Sequence, residues 1–433
     1  MTKAVIVVGG GVVGITAAYF KAKQGYKVTL VESSGEIGGL LKSQTTAFGS
    51  FDYGVHIASE TGYPELDHFL FEGENQNLYE FNTQQSGSFF NSQLTNFSPF
   101  INLNSLNEPQ VKSAGYELVK APQLTQFDNF GQRLEHVYGS TAYQYAFHPF
   151  VKKTFGIEPS ELPDYYINFF DMYRVVAFDD KTTSALKNID YMNDRLGFQK
   201  AMKGAKKYYP HEGGIGRWTI VLLDKIINAG VNVLTNTKVT AINYEESAIN
   251  VTYDGLTNTV DELIWTVSSA LLPQYLPLKS RLDKPTFRKT ALFDFVYQQP
   301  VLTNCKYINN FSPAHLSTRL TCYQNLLPNS THYAITVEVL IDEIKNETQL
   351  LTLVSKELIE MGLIEKSNMC LFSQYRPIGE GFPVITKEND IKIKQLNVEA
   401  LTKYPKITLL GRSSSKGFFM SELLVDAYLS CKK

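Results

Sequence analysis

Val5-Ile6-Val7-Val8-Gly9-Gly10-Gly11-Val12-Val13-Gly14 lies almost at the start of the chain, and its reading decides the fold. The four apolar residues read as a strand buried on both faces. Gly9, Gly11 and Gly14 form a G-x-G-x-x-G, with Val12 and Val13 between the last two. A helix-like run follows from Ile15 to Lys23, Gly25 stops it, and Lys27 to Val31 reads as a second strand ending at Glu32. Each part has a physical task. Gly9 permits a tight turn, Gly11 lets the backbone approach a pyrophosphate, and Gly14 lets helix and strand pack closely. The helix start offers unpaired N–H groups and a positive dipole end to phosphates. Glu32, with Ser33 beside it, stands where a carboxylate accepts hydrogen bonds from ribose hydroxyls.

The next stretch discriminates between dinucleotides. Ser33-Ser34-Gly35-Glu36-Ile37-Gly38-Gly39-Leu40-Leu41 brings a second glycine pair soon after the acid. Here the sequence resembles the superfamily of amine oxidases, protoporphyrinogen oxidases, phytoene desaturases and UDP-galactopyranose mutases. The resemblance implies FAD as cofactor, with Gly38, Gly39, Leu40 and Leu41 along its pyrophosphate. Phe51-Asp52-Tyr53-Gly54-Val55-His56-Ile57 looks like the loop that the mutases set beside the flavin ring, which implies Gly54 and His56 as flavin neighbours. A helix to Ile227 and a meander after it resemble the second FAD segment, implying Val239 at the adenine and Thr266 near the nucleotide. Lys406 to Leu410, Gly411-Arg412 and a closing helix from about Met420 to Leu429 resemble the last segment. That segment implies Gly411, Arg412, Phe419 and Met420 at the flavin, with the helix start stabilising a reduced, anionic ring. The mutases usually have an acidic residue after an aromatic at this helix start. Here Phe418-Phe419 leads into Met420-Ser421 instead.

The expected fold is α/β: a Rossmann-like FAD-binding domain of the glutathione-reductase type with an inserted α+β substrate domain. The FAD domain is expected to be discontinuous, from residues 1–60, 205–270 and 375–433. Residues 61–204 and 271–374 then form the substrate-binding cap. Within the cap, helical pieces are expected over Tyr143 to Phe155, Glu158 to Leu162 and Tyr165 to Val176. Alternating strands such as Ala291-Phe293-Phe295 and a helix from Thr348 to Met361 follow.

Composition bounds the function. The 433 residues are 43% hydrophobic and 19% charged, which is globular and too long for one core. A net charge of -2 steers the chain toward neither nucleic acid nor an anionic bilayer. Cys305, Cys322, Cys370 and Cys431 show no paired spacing, which argues for a reducing compartment and against a metal site. No stretch has the length and purity of a membrane span or signal peptide. A cytoplasmic protein with a small-molecule substrate is expected. A homodimer is compatible with the sequence, and a separate reductase or oxygen would serve as electron acceptor.

With a flavin carrying the redox step, the protein need only place a substrate C–H and manage protons. His56 is the candidate base. Arg174 and Arg376 are candidate holders of a substrate diphosphate or carboxylate. His148 and His211 are weaker candidates, and a buried thiol is the ordinary reading of Cys370. The lysine that amine oxidases carry on a substrate-domain strand is missing from Thr290 to Val296, and only Lys289 precedes it. The expected function is therefore an FAD-dependent oxidoreductase acting on a bulky polar metabolite. Resemblance in the His56 loop and the Gly-Arg ending points to a nucleotide-activated sugar of surface-polysaccharide biosynthesis, with alcohol oxidation or redox epimerisation as the step. The alternatives are a non-redox sugar mutase using reduced flavin, a protoporphyrinogen-oxidase-, desaturase- or amine-oxidase-like enzyme, and a flavin-stabilised binding protein without turnover.

Overall fold

Ala4–Val8 is the central strand of a five-stranded parallel sheet. The sheet order is Asn232–Leu234, Lys27–Val31, Ala4–Val8, Glu262–Trp265 and Ile407–Leu409. The central strand has no polar side chain because both of its faces are covered. Val5 and Val7 join one buried cluster, and Ile6 and Val8 join another. On the first face lies the helix Val12–Lys23, between the helices Gly214–Asn228 and Met420–Cys431. On the second lie the meander Val239–Tyr244, Ile249–Tyr253, Leu256–Val260 and the helix Lys387–Lys403. The computed structural model describes residues 2–73, 77–83, 85–123, 125–200, 202–245, 248–282, 286–327, 332–343, 346–414, 416–417 and 419–432.

The second body is built on a seven-stranded sheet. Its order is Cys370–Val384, Thr286–Tyr297, Tyr333–Ile341, Ser317–Cys322, Tyr307–Asn310, Ser86–Phe90 and Gln93–Thr95. The helix Glu347–Glu360 covers one face through Val354 and Leu358, as its apolar spacing predicts. Helices Glu108–Lys120, Phe130–Tyr138 and His148–Phe155 enclose a separate aromatic cluster that forms the cap. A small sheet of Ala58–Ser59, Lys203–Pro210 and Leu78–Thr83 joins the bodies.

Two boundaries shift. The boundary read at 375 falls inside Cys370–Val384, which pairs with Thr286–Tyr297 almost from end to end. The chain therefore returns to the parallel sheet only after Val384. The boundary at 205 falls inside Lys203–Pro210, whose partners are Ala58–Ser59 and Leu78–Thr83. Strand pairing decides both cases, because a run of ladder hydrogen bonds cannot be divided between bodies. Among the described residues, no helix is long and apolar enough to cross a membrane.

Candidate functional site

The candidate site has two parts, the glycine turn, expected from the sequence to be the nucleotide end, and the His56 loop, expected to be the ring end. At the first, steric demand explains the glycines. A Cβ on Gly14 would lie 2.0 Å from the Gly9 carbonyl oxygen. Gly9 has φ +107°, and a Cβ there would lie 2.5 Å from Thr266 Oγ1. Gly11 faces open space and begins the helix Val12–Lys23, which has no side-chain cap and no acid in its first turn. Its first amides are thus left for an anion. Gly38 donates its N–H to the Gly10 carbonyl at 2.8 Å, and a Cβ on Gly39 would lie 3.2 Å from Gly11 Cα. The Gly38-Gly39 segment therefore forms a second backbone wall beside the first glycine turn.

Glu32 braces the same turn. Its Oε2 accepts the Gly10 N–H at 2.7 Å and its Oε1 the Ser34 N–H at 2.8 Å. Burial acts to raise its pKa, but these amides and the Lys42 charge outweigh it and hold the carboxyl below its usual value. Ser33 is exposed and its hydroxyl is 3.4 Å from Glu32 Oε1. Val12 and Leu41 are buried, Val13 half-buried, and Leu40 exposed. Thr266 donates its hydroxyl to the Val8 carbonyl at 2.9 Å, holding the strand end against the glycine turn. Val239 is buried at the start of the meander.

The ring end lies against the seven-stranded sheet. Register brings Ser88, Asn309, Arg319, Glu338, Leu292 and Arg376 into one row across six strands. The neighbouring row holds Ser86, Tyr307, Thr321, Thr336, Asp294 and Gln374. This face is polar although it is buried. Arg319 donates to Glu338 Oε2 from Nη2 at 2.9 Å and from Nε at 3.3 Å, with the Phe170 ring 5.4 Å from its guanidinium.

Gly54, at φ +128°, is turned toward this row, and a Cβ there would lie 3.5 Å from His56 Nε2 and 3.6 Å from Glu338 Oε2. His56 is thus brought to the Arg319–Glu338 pair. Its pKa is pushed down to about 3, first by burial and then by the charges of Arg319 and Arg412. The ring is therefore neutral at physiological pH. Arg412 is exposed as a residue, though crowding about its guanidinium and then the Arg319 charge disfavour its cation. Gly411 just before it has φ +83°, and a Cβ there would lie 3.2 Å from the Thr266 carbonyl.

Arg376 is largely committed. Its Nε and Nη2 grip Asp294 at 2.5 and 2.9 Å, and Nη2 also donates to the Asp52 carbonyl at 2.8 Å. Among the described residues, Nη1 has no hydrogen-bond partner. Arg376 thus fastens the His56 loop to the sheet. Arg174 is set apart in the cap, near Tyr173, Tyr138 and Lys187. Phe419 is exposed at the start of the closing helix, and its N–H donates to Glu422 Oε2 at 3.0 Å. That helix start therefore has an acid after all, three residues inward. Met420 packs on the core beside it. Ser415 and Phe418 of this segment lie outside the described residues. His148 bonds Glu158 at 2.8 Å, His211 meets the Tyr79 ring, and Lys289 and Cys370 are exposed. No group of side chains able to hold a metal occurs among the described residues.

Asp52 is the hub behind the loop. Its carboxylate accepts from Ser43 Oγ at 2.6 Å, Tyr209 Oη at 2.7 Å and the Ile215 N–H at 3.0 Å. Burial nevertheless lifts its pKa from 3.8 to about 6. The folded state thus binds this proton more tightly than the unfolded chain does. Stability is greatest below the unfolded value and falls as pH rises through the folded one. The loss attached to this group between about pH 4 and 6 is on the order of 3 kcal/mol. Asp52→Asn is expected to remove that part of the slope, which urea melts across the window would measure.

Arg319, Glu338 and Asn309 were not among the residues singled out from the sequence. For Glu338 a signal was present, a charged residue inside the apolar run Ala334-Ile335-Thr336-Val337-Glu338-Val339-Leu340; Arg319, in Ser317-Thr318-Arg319-Leu320-Thr321, carried none.

A family model described as an NAD(P)-binding Rossmann-like domain matches residues 7–72. Coproporphyrinogen III oxidase of Staphylococcus aureus is 24% identical over 287 residues, 61% of this chain and 60% of that protein. A 4,4'-diaponeurosporene oxygenase of the same species is 38% identical over 84 residues, 19% of this chain and 16% of that protein. The matched parts thus span less than two thirds of these relatives. Among solved structures, reduced UDP-galactopyranose mutase is similar with a TM-score of 0.75 and 17% identity, over 100% of this chain and 93% of the other. Putrescine oxidase bound to putrescine is similar with a TM-score of 0.65 and 13% identity, over 100% and 98%. At these identities the likeness is one of fold.

Proposed function

We propose that this chain, which has the fold of the superfamily of UDP-galactopyranose mutases, protoporphyrinogen oxidases and amine oxidases, is an FAD-dependent oxidoreductase acting on a bulky, polar, anionic metabolite, namely a nucleotide-activated sugar. The single observation that carries the substrate class is the buried polar row with Arg319 and Glu338 facing His56 and Arg412. A floor built for an apolar polyene would not line a buried sheet face with Asn309 and Glu338 and set a half-buried Arg319 beside them.

The FAD assignment is supported by the two glycine walls, the uncapped helix start at Gly11 and the brace at Glu32. Gly9, Gly11, Gly14, Gly38 and Gly39 would admit the pyrophosphate, and Glu32 the ribose. When bound, FAD would supply the acceptor for a hydride, which carries the two electrons of the oxidation. The protein's own part is to seat the anion, orient the sugar and take a proton. Arg319 and Arg412 are the anion holders. An anion between them offsets both charges, which acts to raise the His56 pKa against the burial that holds it down. His56→Ala is expected to retain FAD and to slow anaerobic flavin reduction by about 10²-fold. Slowing of only a few-fold would leave His56 a positioning residue.

A non-redox mutase is the second reading, favoured by the likeness to UDP-galactopyranose mutase at a TM-score of 0.75. Anaerobic addition of nucleotide sugars, amines and tetrapyrroles to the oxidised protein separates the classes. Bleaching by a nucleotide sugar supports the oxidoreductase. Turnover only after prior reduction with dithionite supports the mutase. Bleaching by amines or tetrapyrroles alone overturns the sugar assignment.

A further inference from the structure

Strand Lys203–Pro210 carries two adjacent lysines with different fates. Lys206 is exposed and bridges to Glu80 at 3.0 Å in the ordinary way. Lys207 points inward and is half-buried, and its ammonium has no hydrogen bond or salt bridge among the described residues. Its cross-strand partner is Phe81, and Lys306 from the seven-stranded sheet lies over that same ring, 4.4 Å from its centroid. Lys306 thus covers the ring of Lys207's own cross-strand partner, and the Lys207 charge is felt at Lys306. Lys306 is 3% exposed, and its Nζ is held by Gln85.

One carboxylate stands near them. Asp171 feels both Lys207 and Arg319, and it bonds Asn309, the register partner of Arg319. Its Oδ2 already accepts from Asn309 Nδ2 at 2.9 Å and Tyr307 Oη at 3.2 Å, which turns it into the sheet. The backbone is strained to put it there, with φ +52° at Phe170 and +55° at Asp171, neither of them glycine. One carboxylate for two enclosed lysines leaves a net positive charge. Burial, and for Lys306 the Lys207 charge, disfavours both cations, with Lys306 pushed down to about 8. A second anion would relieve that cost.

We propose that Lys207 and Lys306 form a second cationic anchor, which takes a carboxylate carried by the substrate away from its diphosphate. The substrate class is then a nucleotide-activated sugar acid. The assignment rests on the nucleotide-sugar reading above and narrows it. Holoenzyme is titrated anaerobically with UDP-glucose and with UDP-glucuronic acid, following binding by calorimetry. The acid is expected to bind about tenfold more tightly, and Lys207→Gln to abolish that difference while leaving UDP-glucose affinity unchanged. Equal affinity of the two ligands for the unaltered protein would overturn the anchor and leave the nucleotide-sugar reading standing. Binding of neither would overturn both. A preference that survives in Lys207→Gln would remove Lys207 from the anchor, and the unaltered-protein comparison holds even if that variant fails to fold.

Discussion

Gly14→Ala is expected to purify without flavin. The added Cβ would sit 2.0 Å from the Gly9 carbonyl oxygen, an overlap that no rotamer relieves because both partners are backbone or backbone-attached. The helix Val12–Lys23 must then retreat from the strand Ala4–Val8. Its first amides move with it, and the pyrophosphate loses its main anion site. The same helix is wedged between Gly214–Asn228 and Met420–Cys431, so the shift also disturbs the core. Absorbance near 450 nm relative to protein absorbance measures the outcome, with an expected fall of more than about tenfold. A yellow Gly14→Ala protein with normal flavin content would mean that the glycine turn is not where the dinucleotide binds. Gly25→Ala is a useful contrast. It too has positive φ, but nothing stands within 4 Å of its Cβ position, so it should cost stability through strain alone.

Arg319→Met is expected to lower kcat/KM on the nucleotide sugar by about 10²- to 10³-fold, combining loss of a charged anion contact with a misplaced ring. The variant also leaves Glu338, 6% exposed, without its cation. Orphaning a buried charge costs about 3–5 kcal/mol, so stability must be followed alongside activity. Glu338→Gln in the same chain separates the effects. The double variant should regain stability, because no lone carboxylate remains, and should not regain substrate affinity. Recovery of both would make the pair a structural element only. His56 provides an internal check: without the Arg319 charge its pKa should rise, visible in the pH dependence of flavin reduction.

Legibility followed the range of the interactions. The parallel-sheet core could be read because its signals are local. Val5 to Val8, the glycine turn, Gly25 and Glu32 fall within one βαβ unit, and each is dictated by backbone sterics. The helix read from Thr348 to Met361 is found at Glu347–Glu360 for a similar reason, since its period is written in adjacent residues. The ring end was only partly readable. His56 could be placed on its loop, but the row joining it to Arg319, Glu338 and Arg376 depends on the register of six strands. Register across such distances is set by tertiary packing, not by local sequence. The commitment of Arg376 to Asp294 was hidden in the same way, because its partner is 82 residues away. The boundary read at 375 falls inside Cys370–Val384, whose pairing with Thr286–Tyr297 continues through Tyr375, Arg376 and Pro377.

The most direct measurement is the identity of the released cofactor. Purified protein should be yellow, and heat should release one equivalent of intact FAD, identified by chromatography against FAD, FMN and NAD standards. That result is what the second backbone wall at Gly38-Gly39, added to the first glycine turn, predicts. Release of NAD, release of FMN, or a colourless protein that takes up none of the three would contradict it.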